Sequence, residues 1–192
     1  MLKLRRAQSF GDCNRELISA GNVIRDTLLV PHARLPRHQH ESPYVCITLE
    51  GHYAERSRGE TACGPGSVRT HPAGHEHANH TGAAAVRCVN VEFSPALLDD
   101  CVLRPLQARA EHLRLAPSHG GLARLRRALD LRDGTSALCA LAAALDVVCA
   151  GLRPAASSNT AMQRVVDAIE ADLARTPSLE ALARVGGMHA SH

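Results

Sequence analysis

The chain has almost no aromatic residues. Two Phe, two Tyr and no Trp make up 2% of its 192 residues. A surface that stacks on unpaired bases needs exposed rings, so this composition argues against that mode of nucleic-acid binding. Lysine is nearly absent too: Lys3 stands alone, and the rest of the 22 basic residues are Arg. The net charge of +3 is too mild to mark the whole chain as a polyanion binder. No run reaches the roughly 18–20 uncharged apolar residues that span a bilayer. The longest candidate, from Ala137 to Leu152, is short and interrupted by Asp146. The stretch Met1-Leu2-Lys3-Leu4-Arg5-Arg6 has basic residues but lacks the apolar run of a signal peptide behind them. Cysteines occur at 13, 46, 63, 88, 101, 139 and 149, and none forms a Cys-x-x-Cys pair of the zinc or redox type. These absences predict a cytoplasmic protein with buried or partly buried thiols and no membrane contact.

What is present is enough apolar residue, 45%, for a packed core. The chain changes character near Ser94. Before it, short apolar runs alternate with Gly, Pro and polar turns, which predicts strands near 23–30, 44–50, 52–56, 67–70 and 84–93. Val45, Ile47 and Leu49 alternate on one face, and Val89, Val91 and Phe93 repeat the pattern with Asn90 and Glu92 opposite. Many short strands with turns at Gly51, Arg58-Gly59 and Gly64-Pro65-Gly66 read as a sandwich or barrel. After Ser94-Pro95, a helix-start signal, Leu122, Leu125 and Leu129 form one helical stripe. Leu138, Leu141, Leu145 and Val148 form another beyond Asp133-Gly134, so an antiparallel helical hairpin is expected. A linker follows near 152–159, then a helix from Thr160 with Gln163 at capping-box spacing, and a short one capped by Ser178.

Histidine is concentrated. Eight of the 12 His fall between His32 and His80, about a quarter of the chain. His38 and His40 are two apart, which on a strand puts both rings on one face, roughly 6–7 Å apart along the backbone. His75, His77 and His80 form a second group. Neutral imidazoles gathered in this way suit a divalent transition metal. His32, His52, His71 and His80 read as turn or surface residues, and His112 and His119 as solvated.

His38-Gln39-His40, then Tyr44, then Gly51 resembles the first cupin motif, with Tyr44 where that motif usually has Glu. Gly66, Pro72-Ala73-Gly74 and His77 resemble the second, with Thr81 at the place of its usual Asn. The two motifs together cover 38–81. The resemblance implies a cupin-like jelly-roll barrel, mainly β with α following. It implies His38, His40 and His77 as ligands of one divalent metal (Zn, Fe or Ni), with Tyr44, Glu76 or water completing the shell and His75 as a spare ligand. A phenol, with an ordinary pKa near ~10, must lose its proton to replace the carboxylate fully.

Residues 178–192 resemble the first helix-turn-helix of AraC-type transcription regulators. Ala183 is small where two helices cross, Gly187 permits the tight turn, and Met188 onward would open the recognition helix. His189, Ser191 and His192 are then the residues nearest DNA. The implied layout is a cupin sensor at 1–104, a helical dimerisation segment at 105–156 and an incomplete reader at 157–192. On this reading the chain is a non-enzymatic, homodimeric sensor for a small-molecule effector or metal ion. Either leucine stripe could form the dimer contact. DNA binding belongs to the full-length protein and is weak or absent in this chain, whose recognition helix is incomplete. The alternative is a metal-dependent cupin enzyme, a dioxygenase or isomerase, using the same three histidines with an open coordination position.

Overall fold

The computed structural model describes residues 2–100, 103–131, 133 and 135–152. The segments expected at Thr160 and Ser178, together with His189, Ser191 and His192, lie outside the described residues.

Two β-sheets build the first part of the chain. One runs β1 (Leu2–Leu4), β4 (Arg34–His40), β9 (His77–Thr81), β6 (Tyr53–Arg56), β7 (Glu60–Cys63). The other runs β11 (Glu111–Arg114), β8 (Ser67–His71), β5 (Tyr44–Glu50), β10 (Val86–Glu92), β3 (Asn22–Leu29), β2 (Asp12–Ser19). The pairings are antiparallel except β1 with β4. Strand order departs from chain order throughout, as in a jelly roll, where successive strands cross between two facing sheets. The strands expected from alternation are all present, with ends shifted by one or two residues. Those lacking an apolar rhythm, β1, β2, β4, β7, β9 and β11, were not among the expected strands.

The alternation has a different meaning from the one expected. In β5 both faces are buried, since every residue from Tyr44 to Leu49 is buried. Val45, Ile47 and Leu49, with Val68, Val89 and Val91, belong to a core cluster shared with Leu122, Leu125 and Leu129 of α2 (Gly120–Asp130) and Ala140, Ala144 and Val147 of α3 (Ser136–Leu152). The opposite face, with Tyr44, Cys46 and Cys88, turns into the hollow between the sheets, where Tyr53 and Cys63 join it. The apolar face of the six-stranded sheet thus carries the helical hairpin, and its mixed face lines the hollow.

The hairpin is pinned to the barrel by Arg15, whose guanidinium donates to the Leu129 carbonyl at 2.6 Å and to Ser136 Oγ at 2.9 Å. The stripe Leu122, Leu125, Leu129 is buried against the barrel, so it is not available to a second protomer. The second stripe is partly misread. Leu138 is 64% exposed, while Ala140, Ala143, Ala144 and Val147 take the buried positions with Leu141 and Val148. Small alanines let the two helices approach closely, and that signal is invisible to a count of leucines. Before the hairpin come a four-residue helix α1 (Pro95–Leu98) and a 3₁₀ turn at Arg104–Gln107. Cys13 and Cys139 are exposed, contrary to the expectation of covered thiols.

Gly66 sets the start of β8. Its φ is +85°, and a Cβ there would stand 2.4 Å from the Leu115 carbonyl oxygen. Gly66→Ala is therefore expected to destabilise the fold by about 1–3 kcal/mol, read by urea denaturation. An unchanged midpoint would show that this turn does not constrain β8.

Candidate metal centre

The hollow collects titratable side chains from both sheets. From the five-stranded sheet come His38 and His40 on β4, His77 on β9 and Glu55 on β6; from the other come Tyr44 on β5 and Arg69 and His71 on β8. His38 and His77 are direct cross-strand partners, as are Tyr44 and His71. Period-two geometry aims each of them inward: His38 with His40, Tyr53 with Glu55, and Arg69 with His71.

His38, His40 and His77 are all buried, and their ligand nitrogens lie within 4.8 Å of one another. The ring centroids of His38 and His77 are 4.2 Å apart, and those of His38 and His40 are 5.4 Å apart. Two tautomers follow from the neighbours. His38 Nδ1 faces the Pro36 carbonyl oxygen at 2.8 Å, and His77 Nδ1 faces the His75 carbonyl oxygen at 3.3 Å. A carbonyl only accepts, so both Nδ1 atoms carry the proton and both Nε2 atoms keep a lone pair. Backbone acceptors of this kind orient metal-ligating imidazoles.

Burial keeps these rings neutral. It lowers His38, with a nearby carbonyl and Glu55 acting against it. Burial, then the charge of His38, lowers His40 to about 4 and His77 to about 2. His71 is pushed well below the ordinary value by burial and then by His77. A neutral imidazole is the metal-binding form, so the donor set is prepared for an ion.

The Tyr44 hydroxyl lies 3.0 Å from His77 Nε2, and its ring stacks on His71 at 4.5 Å between centroids. Burial, then the neighbouring Cys46, raises its pKa well above 10, so the phenol keeps its proton and donates to the His77 lone pair. Glu76 points elsewhere. It is exposed and paired with Arg37 at 3.2 Å, so it is not within the hollow.

Glu55 and Arg69 form a buried ion pair, with Arg69 Nε donating to Glu55 Oε1 at 3.1 Å and side chains 6% and 1% exposed. Glu55 Oε2 makes no hydrogen bond and sits 3.4 Å from His71 Nε2. His71 is 1% exposed, which corrects the expectation of a turn or surface residue. Its strand position, two residues after Arg69 and opposite Tyr44, carried that information. Glu55 was missed although it follows Tyr53 at the same spacing. His112 and His119 are half-buried with partners, again unlike the solvated residues expected: His112 Nε2 lies 3.1 Å from Ser67 Oγ, and His119 caps α2 by accepting from the Gly121 amide.

The hollow itself has a volume of ≈ 40 Å³. A water needs on the order of 10–15 Å³ of such space, so an ion with one or two waters fits. The residues present therefore suit a divalent transition ion: neutral nitrogen donors, fixed tautomers and room for an open coordination position. Three of the four expected metal-site residues offer unshared or exchangeable imidazole donors, and Tyr44 stands beside them.

No family model matches the sequence, and no curated protein matches it. Solved structures do. The cupin domain of Cnp3 from Schizosaccharomyces pombe is 15% identical over 43% of this chain and 64% of its own length, with a TM-score of 0.39. The DMSP lyase DddQ from Ruegeria pomeroyi is 22% identical over 45% of this chain and 48% of its own, with a TM-score of 0.38. A cupin-2 domain containing protein from Shewanella frigidimarina is 17% identical over 44% and 85%, with a TM-score of 0.37. The match spans less than two thirds of the Cnp3 domain and of the lyase. With the two-sheet topology, the fold is a cupin-like jelly roll followed by helices. DMSP lyases are among the solved structures of similar fold, so the expectation of a non-enzymatic chain does not stand. Among the described residues, no helix is long and apolar enough to cross a membrane.

Proposed function

We propose that this chain is a metal-responsive cupin domain that serves as the sensor and dimerisation part of an AraC-type transcription regulator. The observation that carries the metal reading is the group His38, His40 and His77, buried with ligand nitrogens within 4.8 Å. These three residues would hold one Zn²⁺, Fe²⁺ or Ni²⁺ ion, which supplies Lewis acidity and an open position when bound. Tyr44 keeps its proton and stays as a donor beside that position. The small hollow favours an ion over an organic effector. The regulator reading is supported by order along the chain: cupin motifs, then a helical hairpin packed on the barrel, then the segment 178–192 that resembles a helix-turn-helix. The dimer contact falls to the outer side of α3, where Leu138 is exposed and Leu145 half-buried.

The test is elemental analysis of the purified chain after loading with each metal and extensive dialysis. About one equivalent is expected, with affinity lowered at least ~10-fold in His77→Ala. Retention of no metal by the wild-type chain would overturn the sensor reading. A mobility-shift assay with and without metal tests the DNA-binding part; binding that ignores the metal would break the link. A metal-dependent enzyme is the second reading. It is favoured by the buried Tyr44 hydroxyl, 3.0 Å from His77 Nε2, a proton donor beside the three histidines.

A further inference from the structure

A second histidine group lies toward the outside of the barrel. His71, His75 and His77 also hold ligand nitrogens within 4.8 Å of one another. His71 Nδ1 and His75 Nδ1 are 3.2 Å apart. Two nitrogens bound to one tetrahedral ion at roughly 2.0–2.1 Å stand about 3.3–3.4 Å apart, so this pair is already at chelating separation. His71 has its other nitrogen toward a carboxylate, with Glu55 Oε2 at 3.4 Å, buried and without a hydrogen bond. A carboxylate behind an imidazole is the usual orienting partner of a metal-bound histidine. Its charge on that side favours the Nε2–H tautomer, which frees the Nδ1 lone pair. His75 is half-buried and lies on the wall of an open cleft of ≈ 530 Å³ that also includes Arg58 and Arg109. The inner group lines a smaller hollow of ≈ 40 Å³.

We propose that His71 and His75, with His77, form an outer position for a divalent transition ion on the route from this cleft to the inner group. The inference extends the metal reading above, but its residues His71 and His75 are not part of the inner group. His77 belongs to both. Its Nδ1 is directed to the His75 carbonyl, which leaves one lone pair, so it serves one ion at a time. The two positions are therefore exclusive, and an ion moves inward by exchanging His71 and His75 for His38 and His40. In the metal-free protein the His75 Nδ1–H donates to His71 Nδ1; when the ion binds, His75 takes the Nε2–H tautomer, so its ring stays neutral and no net proton is released.

Co²⁺, followed by its visible absorption and by titration, separates the two positions. The wild-type chain is expected to bind one equivalent. His38→Ala/His40→Ala is expected to keep near one equivalent with an altered spectrum, and adding His75→Ala is expected to weaken binding a further ~10-fold or more. His75→Ala alone, a change at a half-buried residue, is expected to leave the stoichiometry at one and slow Co²⁺ loading at least ~10-fold in stopped flow. Loss of all binding in a folded His38→Ala/His40→Ala variant would overturn the outer position and leave the inner one standing. Unchanged loading kinetics in His75→Ala would overturn it as well, whether or not the double variant folds. No binding by wild type would remove both.

Discussion

Glu55→Ala is expected to cost the fold about 3–5 kcal/mol, the effect of leaving a buried charge without its partner. Arg69 is 6% exposed at its side chain, and its guanidinium is directed at Glu55 through both Nε and a terminal nitrogen. Removing the carboxylate strands that cation between two sheets. It also removes the acceptor facing His71. The pair itself need not add net stability, because desolvating both ions opposes their attraction. The double variant Glu55→Leu/Arg69→Met is therefore expected to recover most of the loss. Urea denaturation of the single and double variants measures both statements. A loss below about 1 kcal/mol for Glu55→Ala would mean that water reaches Arg69 and that the hollow is wetter than its burial implies.

Acid is expected to unfold the metal-free chain well above the pH at which ordinary carboxylates titrate. His40 has its pKa lowered from 6.5 to about 4, by burial first and by His38 second. His77 is lowered to about 2, again by burial first. Above pH 6.5 both folded and unfolded states are neutral at these rings and nothing is lost. Below 6.5 the unfolded chain takes up protons that the folded chain refuses, so stability falls with falling pH. For His40 the loss grows until the pH reaches about 4 and then stops, for a total of about 3 kcal/mol at ~1.4 kcal/mol per unit. His77 and His71 extend the slope in the same direction. Denaturation of chelator-treated protein at pH 7.0 and 4.5 reads the slope. His40→Leu should flatten it, and an equal stability at both values would show that these rings are protonated in the native state.

The barrel and the inner histidines were legible because their signals are local. His38 and His40 share a strand face by spacing alone, and Val45, Ile47 and Leu49 mark a strand with an apolar side. The sequence could not say that the other side is also covered. Cys46 and Asn90 look like a solvent face, yet they line the hollow because a second sheet closes over them. Polar residues in a strand carry the same pattern whether water or a polar cavity faces them. Glu55, Arg69 and His71 were hidden for this reason: their partnership joins β6 to β8 across the hollow, a long-range contact with no local mark. Conversely Leu138 belongs to a regular leucine stripe but points outward, since close helix packing is decided by Ala140 and Ala144.

The strands β5 and β8 are a party wall. One side of this wall presents Tyr44 and His71 to the hollow, while the other presents Val45 and Val68 to the cluster that holds Leu125 and Val147. Alternate side chains of a single backbone occupy the two rooms. Any tilt of that backbone on ion capture must therefore reach the hairpin directly, with no chain of intermediates, and the stiffness of two hydrogen-bonded strands sets how faithfully the tilt is passed on.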